Sequence, residues 1–227
     1  MDVVVVANRS DPEPGYVGER LEALGGRLRT ALREQPDRLA GAASGADLLV
    51  LLGSEWSVAR PQQPAAVAAE QQLVREALRA NRPVLAICYG AQLAASALGA
   101  AVERLPLRET GWLTIDTTDP VLAPAGPWLE LHEDRWLAGP TVPSLATTAA
   151  GPQAFMAGRL VAWQFHPEVT QDVVARWVKE IADELGGRGV DPDALIAESA
   201  DRAADARRRC HALVDAVLGR IGAVRQG

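Results

Sequence analysis

Apolar and polar positions along this chain fall in blocks rather than in simple alternation. Val3 to Ala7 is an unbroken, mostly β-branched apolar run closed by polar and Pro/Gly residues, which predicts a strand buried on both faces. From Tyr16 to Leu24 the apolar residues Val17, Leu21 and Leu24 recur at helical spacing, and Gly25-Gly26 stops the pattern. Ala46 to Leu52 is a second buried run, ending at Gly53. Ala65 to Ala80 reads as a helix, Pro83 to Ile87 as a third short strand and Ala91 to Leu98 as the helix that follows it.

Strands alternating with helices predict an α/β fold: a mostly parallel central sheet, helices on both faces, and ligands at the carboxyl ends of the strands. Gly53 and Cys88 both fall at such ends. Residues 101 to 165 break into shorter strand-like pieces, among them Trp112 to Thr117 and Arg159 to Phe165, whose register the pattern leaves open. After His166-Pro167-Glu168 the pattern is helical again. From Asp191 onward Ala, Arg, Asp and Glu dominate, with Leu195, Ile196, Leu213, Val214, Val217 and Leu218 as apolar positions. Gly186-Gly187-Arg188-Gly189 predicts a hinge, dividing a main domain over residues 1–185 from a C-terminal helical extension over residues 186–227.

Composition narrows the function. A net charge of -6 and a pI near 5.2 give no electrostatic footprint for nucleic acid or an anionic membrane surface. No apolar run approaches the ~20 residues of a membrane span, and the start MDVVVVANRS lacks a signal-peptide cleavage site. The two cysteines, Cys88 and Cys210, lie in unlike segments, which supports neither a disulfide framework nor a zinc site. Adjacent residues on a helix point apart, so Cys210 and His211 do not suggest a metal pair. A cytoplasmic protein that handles a small molecule, without metal or cofactor, is the expectation.

Cys88 is the first candidate for chemistry. It follows a strand and precedes Tyr89-Gly90-Ala91-Gln92, so its thiol would sit in a tight strand-to-helix turn with helix amides pointing at it, as in a nucleophile elbow. A buried cysteine filling space is the alternative, and the segment alone leaves the two evenly matched. A nucleophilic cysteine needs a base, and the chain has three histidines: His132, His166 and His211. His166 ends an apolar run with Glu168 two residues on, so it is able to take the thiol proton while Glu168 fixes its tautomer.

The order of these residues matches a known family. Pro83-Val84-Leu85-Ala86-Ile87-Cys88-Tyr89-Gly90-Ala91-Gln92 resembles the cysteine motif of the class I glutamine amidotransferases, and Gln164-Phe165-His166-Pro167-Glu168 resembles their histidine and glutamate motif. The resemblance extends more weakly over residues 1 to 180, including the Gly53-Ser54 loop and Glu109-Thr110-Gly111-Trp112. It implies the flavodoxin-like fold of that family and hydrolysis of the glutamine side-chain amide through a γ-glutamyl thioester, with ammonia passed to an acceptor, usually on a synthase domain or partner.

By the same resemblance Cys88 is the nucleophile, His166 the general base and then acid, and Glu168 the orienter. The backbone amides of Tyr89 and of the Gly53-Ser54 loop are the expected oxyanion donors, a glycine at 53 allowing close approach to substrate. Gln92 matches a substrate-binding position. Glu109 resembles a residue near the active site of stand-alone members, and His132 resembles a His-x-Asp element of members related to the amidotransferase domain of guanylate synthase, so both are expected at the pocket border; a loop histidine bonded to Asp134 is the equal alternative for His132. Four tryptophans, Trp56, Trp112, Trp136 and Trp163, adjoin these motifs, either walling a pocket or packing the sheet.

Two positions depart from the family pattern. Ala86 replaces a usual glycine, which is harmless only if its φ is negative. Ser54 stands where many members carry a second glycine. Three functions follow: a glutamine amidotransferase supplying a synthase partner, a γ-glutamyl peptide hydrolase acting without a partner, or a catalytically silent binding homologue. The complete set of Cys88, His166 and Glu168 argues against the last.

Overall fold

The computed structural model describes residues 1–223. An eight-stranded sheet runs through the middle of the molecule in the order β2-β1-β3-β4-β10-β9-β8-β6. Strands β1 (Asp2–Ala7), β2 (Arg27–Leu32), β3 (Leu48–Leu51), β4 (Val84–Ile87) and β10 (Leu160–Trp163) are parallel. The remaining strands β9 (Gly151–Ala157), β8 (Ala146–Thr148) and β6 (Asp116–Thr117) continue the sheet antiparallel.

The unbroken apolar runs are explained by burial on both faces. On one face Val3, Val5, Leu48, Val50, Leu85 and Val161 pack with Val17 and Leu21 of helix α1 (Gly15–Ala23). On the other, Val4, Val6, Leu49, Leu51, Val84 and Leu160 pack against α2 (Pro36–Ala42), α3 (Pro64–Arg79) and α4 (Tyr89–Ala97). Neighbouring side chains along each strand therefore serve opposite layers, and both layers demand apolar residues.

Beyond the main sheet, β5 (Val102–Leu113) and β7 (Trp128–Trp136) form a two-stranded antiparallel sheet with an irregularity between Arg104 and Glu109. Then come α5 (Gln171–Glu180), α6 (Ala182–Gly187) and α7 (Pro192–Arg220). The Thr170 hydroxyl caps α5 by accepting from the Val173 amide, and Asp191 caps α7 by accepting from the amides of Asp193 and Ala194.

The C-terminal helix α7 packs on the core of the main sheet. Cys210, Leu213, Val214, Val217 and Leu218 of α7 belong to the same apolar cluster as β1 and α1. Arg20 of α1 also pairs with Asp215 of α7 at 2.8 Å. The Gly186-Gly189 stretch closes α6 and turns the chain toward α7. Among the described residues no helix is long and apolar enough to cross a membrane.

Candidate active site

Three adjacent strands, β3, β4 and β10, end side by side, and each delivers one part of the site just past its carboxyl end: Gly53, Cys88 and His166. Ile87 lies opposite Trp163, and the Cys88 amide donates to the Trp163 carbonyl at 2.7 Å. This register brings Cys88 and the residues following β10 together. His166 is tied on its other side, its amide donating to the Leu129 carbonyl of β7 at 2.9 Å.

Cys88 has φ 50° and ψ -110°, a left-handed conformation that L-residues adopt only under constraint. Such strain costs on the order of 1–3 kcal/mol and is held by the surrounding packing. The turn places the thiol at the mouth of α4, whose first amide, that of Tyr89, has no acceptor within the helix. Ala86 settles differently from its neighbour: the positive-φ residues other than glycine among the described residues are Asn81 and Cys88, so the methyl of Ala86 lies unstrained in β4.

The His166 Nδ1 faces Glu168 Oε1 at 2.7 Å, which leaves Nε2 free for the Cys88 side. Burial disfavours a charged imidazole, but the Glu168 carboxylate and the Cys88 sulfur outweigh it, and the His166 pKa stands well above its usual value. The Trp177 ring meets the His166 ring edge-on, with centroids 5.0 Å apart. Glu168 is anchored through its backbone: its carbonyl accepts from the Tyr16 amide at 2.7 Å. Gly15, at φ +47°, permits that contact, because a Cβ there would lie 2.0 Å from the Glu168 carbonyl oxygen.

Gly53 makes a less extreme approach. A Cβ on it would stand 3.1 Å from His166 Cε1 and 3.7 Å from Cys88 Cβ. Ser54, the departure from the family pattern, uses its hydroxyl to brace the loop: it donates to Asn8 Oδ1 at 2.7 Å and accepts from the Trp56 amide at 3.0 Å.

A cavity of about 310 Å³ opens over this cluster, lined by Gly53, Ser54, Cys88 and His166 together with Asn8, Ser10, Asp11, Glu55, Arg108, Leu131, Arg176, Trp177, Glu180 and Ile181. Arg176 pairs with Asp11, and Trp177 Nε1 donates to Asp11 Oδ2 at 2.8 Å, so α5 is fastened across the cavity to the loop after β1. Charges of both signs therefore surround the thiol, a setting suited to a zwitterionic amino-acid head group. The α5 residues and Arg108 escaped sequence reasoning; the signal for the α5 residues was the charged and aromatic pattern just after the His-Pro-Glu motif.

Gln92, Glu109 and His132 are not brought to the cavity wall. The Gln92 amide is buried and donates to the Asp134 carbonyl at 2.9 Å and to Gln164 Oε1 at 3.3 Å, joining α4 to β7 and the end of β10. His132 lies on strand β7 and not in a loop. Its Nδ1 faces the Asp134 carbonyl at 3.0 Å, and its Nε2 faces Glu109 Oε2 at 2.9 Å and Glu130 Oε2 at 3.3 Å. A doubly protonated ring satisfies the Asp134 carbonyl on one side and the Glu109 carboxylate on the other.

Burial opposes that charge, but Glu109 and Glu130 overcome it and push the His132 pKa up to about 10. Burial raises the Glu130 pKa; burial also opposes ionisation of Glu109, but hydrogen bonds led by that from His132 hold its pKa low. Glu109, Glu130 and His132 are also the one group among the described residues whose potential metal-ligand atoms lie within 4.8 Å of one another. Both His132 nitrogens are already engaged by protein oxygens, so the group reads as a buried ion cluster. Trp136 and Trp163 pack in the two sheet layers, and the tryptophan lining the cavity is Trp177.

Comparison with known proteins gives the family and the fold. Residues 40–176 match the family model described as glutamine amidotransferase class-I. The chain is 31% identical over 197 residues to the GMP synthase [glutamine-hydrolyzing] of Aeropyrum pernix, covering 81% of this chain and 37% of that protein. With the enzyme of the same name from Stenotrophomonas maltophilia it shares 30% identity over 165 residues, 64% of this chain and 30% of that protein. It thus spans about a third of the length of these relatives.

A solved glutamine amidotransferase from Thermotoga maritima superposes with a TM-score of 0.82 at 23% identity, covering 97% of both chains. One from Methylobacillus flagellatus gives 0.84 at 22% identity, over 99% of this chain and 96% of that one. The fold is theirs, and the family-model match establishes that this chain belongs to the class I glutamine amidotransferases.

Proposed function

We propose that the chain hydrolyses the side-chain amide of glutamine, or of a related γ-glutamyl compound, through a thioester on Cys88, and supplies the ammonia to a synthase partner. The observation that carries this reading is the convergence of Cys88, His166 and Glu168 at two adjacent strand ends, with His166 hydrogen-bonded to Glu168 at 2.7 Å and a glycine backbone against both His166 and Cys88. The names of the relatives join glutamine hydrolysis to a synthase, which supports the choice of substrate and the partner.

In the reaction so proposed, the Cys88 sulfur attacks the carbonyl carbon of the side-chain amide while His166 holds the proton taken from the thiol. The carbonyl oxygen becomes an oxyanion held by the amides of Tyr89 and the Gly53-Ser54 loop. His166 then gives its proton to the amide nitrogen, the C–N bond breaks and ammonia leaves. Water attacks the thioester, His166 takes its proton, and the C–S bond breaks to return the thiol and release glutamate. Glu168 stabilises the imidazolium throughout. A free thiol nucleophile suits the reducing cytoplasm.

Ammonia release from glutamine and amine release from γ-glutamyl peptides, measured with the purified chain and with Cys88→Ala, test the reading. Turnover of glutamine that Cys88→Ala abolishes supports it. Turnover confined to γ-glutamyl peptides replaces it with peptide hydrolysis, and no turnover of either, with candidate synthases added, refutes it.

A further inference from the structure

Arg33, just past β2, is a charged side chain with no solvent exposure, and the chemistry above leaves it unused. Its Nη1 donates to Asn8 Oδ1 at 2.8 Å and to the Gly53 carbonyl at 2.9 Å; its Nη2 donates to the carbonyls of Leu52 at 3.1 Å and Val6 at 3.3 Å. Its Nε lies 3.5 Å from the equally buried Glu70. The guanidinium carbon sits 4.7 Å from the centre of the Tyr89 ring.

These contacts have a geometric consequence. The Leu52–Gly53 and Gly53–Ser54 peptides are planar and trans, so each N–H points opposite to the carbonyl of its own peptide unit. By fixing the Leu52 and Gly53 carbonyls on one side, Arg33 fixes the Gly53 and Ser54 N–H groups toward the other. Gly53 and Ser54 line the cavity. The same guanidinium packs on the side chain of Tyr89, the first residue of α4 and the source of the other proposed oxyanion donor.

We infer that Arg33 is a positioning residue for the oxyanion site, setting the loop donors through the Leu52 and Gly53 carbonyls and bracing Tyr89 through its ring. The inference rests on the proposed amide hydrolysis. Burying a guanidinium is costly and its removal alone would strand Glu70, so a role in framework stability and a role in donor placement must be separated by variant choice. Arg33→Lys keeps a cation for Glu70 but cannot span four acceptors from one planar fork. The pair Arg33→Met with Glu70→Met removes both charges and leaves no buried ion unpaired, should Arg33→Lys not fold.

The experiment compares three readouts in the folded variant and the parent chain: kcat and KM for glutamine, inhibition by the γ-aldehyde analogue of glutamine, and the rate of Cys88 alkylation by iodoacetamide. The aldehyde captures the thiol as a hemithioacetal with an oxygen in the oxyanion site, whereas displacement of iodide creates no oxyanion. Donor misplacement predicts that kcat falls about 100-fold with KM unchanged, that aldehyde inhibition weakens in parallel, and that alkylation proceeds at the parent rate. Parent-level kcat in a folded variant overturns the inference, as does alkylation that falls in step with hydrolysis. A parent chain that hydrolyses no γ-glutamyl amide even with candidate synthases added overturns the reading on which it rests, and is distinguished by failing before any variant is compared.

Discussion

Gly53 and His166 lie so close that a side chain at position 53 would crowd the ring: a Cβ on Gly53 would lie 3.1 Å from His166 Cε1. The imidazole is held by Glu168 on one side and by the Trp177 ring on another, so it cannot retreat freely. Gly53→Ala is therefore predicted to shift His166 by a few tenths of an ångström and lower kcat by about tenfold or more, because reacting groups tolerate little misplacement. Gly53 does not occupy a positive-φ conformation, so the melting temperature should change little. Steady-state kinetics and a thermal melt check both parts.

Glu168 holds the proton on His166. In the proposed mechanism deprotonation of His166 limits the alkaline side of the pH–rate profile, and that limb should lie well above the usual histidine range. Glu168→Gln removes the negative charge that favours imidazolium, so the limb should move to lower pH, with kcat falling on the order of 100-fold. The pH dependence of kcat for the two proteins checks the direction.

The buried cluster around His132 should make stability fall with alkalinity. His132 is raised from 6.5 in the unfolded chain to about 10 in the folded one, so its contribution is fully present below the unfolded value and is lost as pH rises through the folded value. Glu130, also raised by burial, adds a cost at alkaline pH and so acts in the same sense. Melting temperatures measured across that interval should decline, and the decline should be shallower in His132→Gln.

The blocks that formed β1, β3, β4 and β10 were legible because each strand is buried on both faces, and the cysteine and histidine motifs lie just past the ends of two of them. Strand β2 was not, because Arg27, Arg29 and Thr30 project from a largely exposed sheet edge. Strand β7 was hidden for the opposite reason. Its sequence WLELHEDRW alternates, yet its buried side carries Glu130, His132 and Asp134, so the polar residues point inward where a strand normally places apolar ones. Arg33 was illegible because a charged residue in the polar stretch LREQPDR reads as solvated; only tertiary placement beneath the Gly53 loop reveals its burial. The C-terminal apolar positions were read correctly as helical, but nothing in their spacing said that they complete the core over β1 and α1.

Cys88 is the proposed nucleophile, and Cys210 supplies an internal control. Cys210 is fully buried on α7, and burial pushes its thiol pKa well above the ordinary value, so it should stay unreactive. The most direct measurement is peptide mass spectrometry after treatment with a glutamine-like electrophile, with and without glutamine as protectant. Modification confined to the Cys88 peptide, slowed by glutamine and matched by loss of ammonia release, is the predicted result; labelling of Cys210 at an equal rate, or loss of activity with Cys88 unmodified, would contradict it.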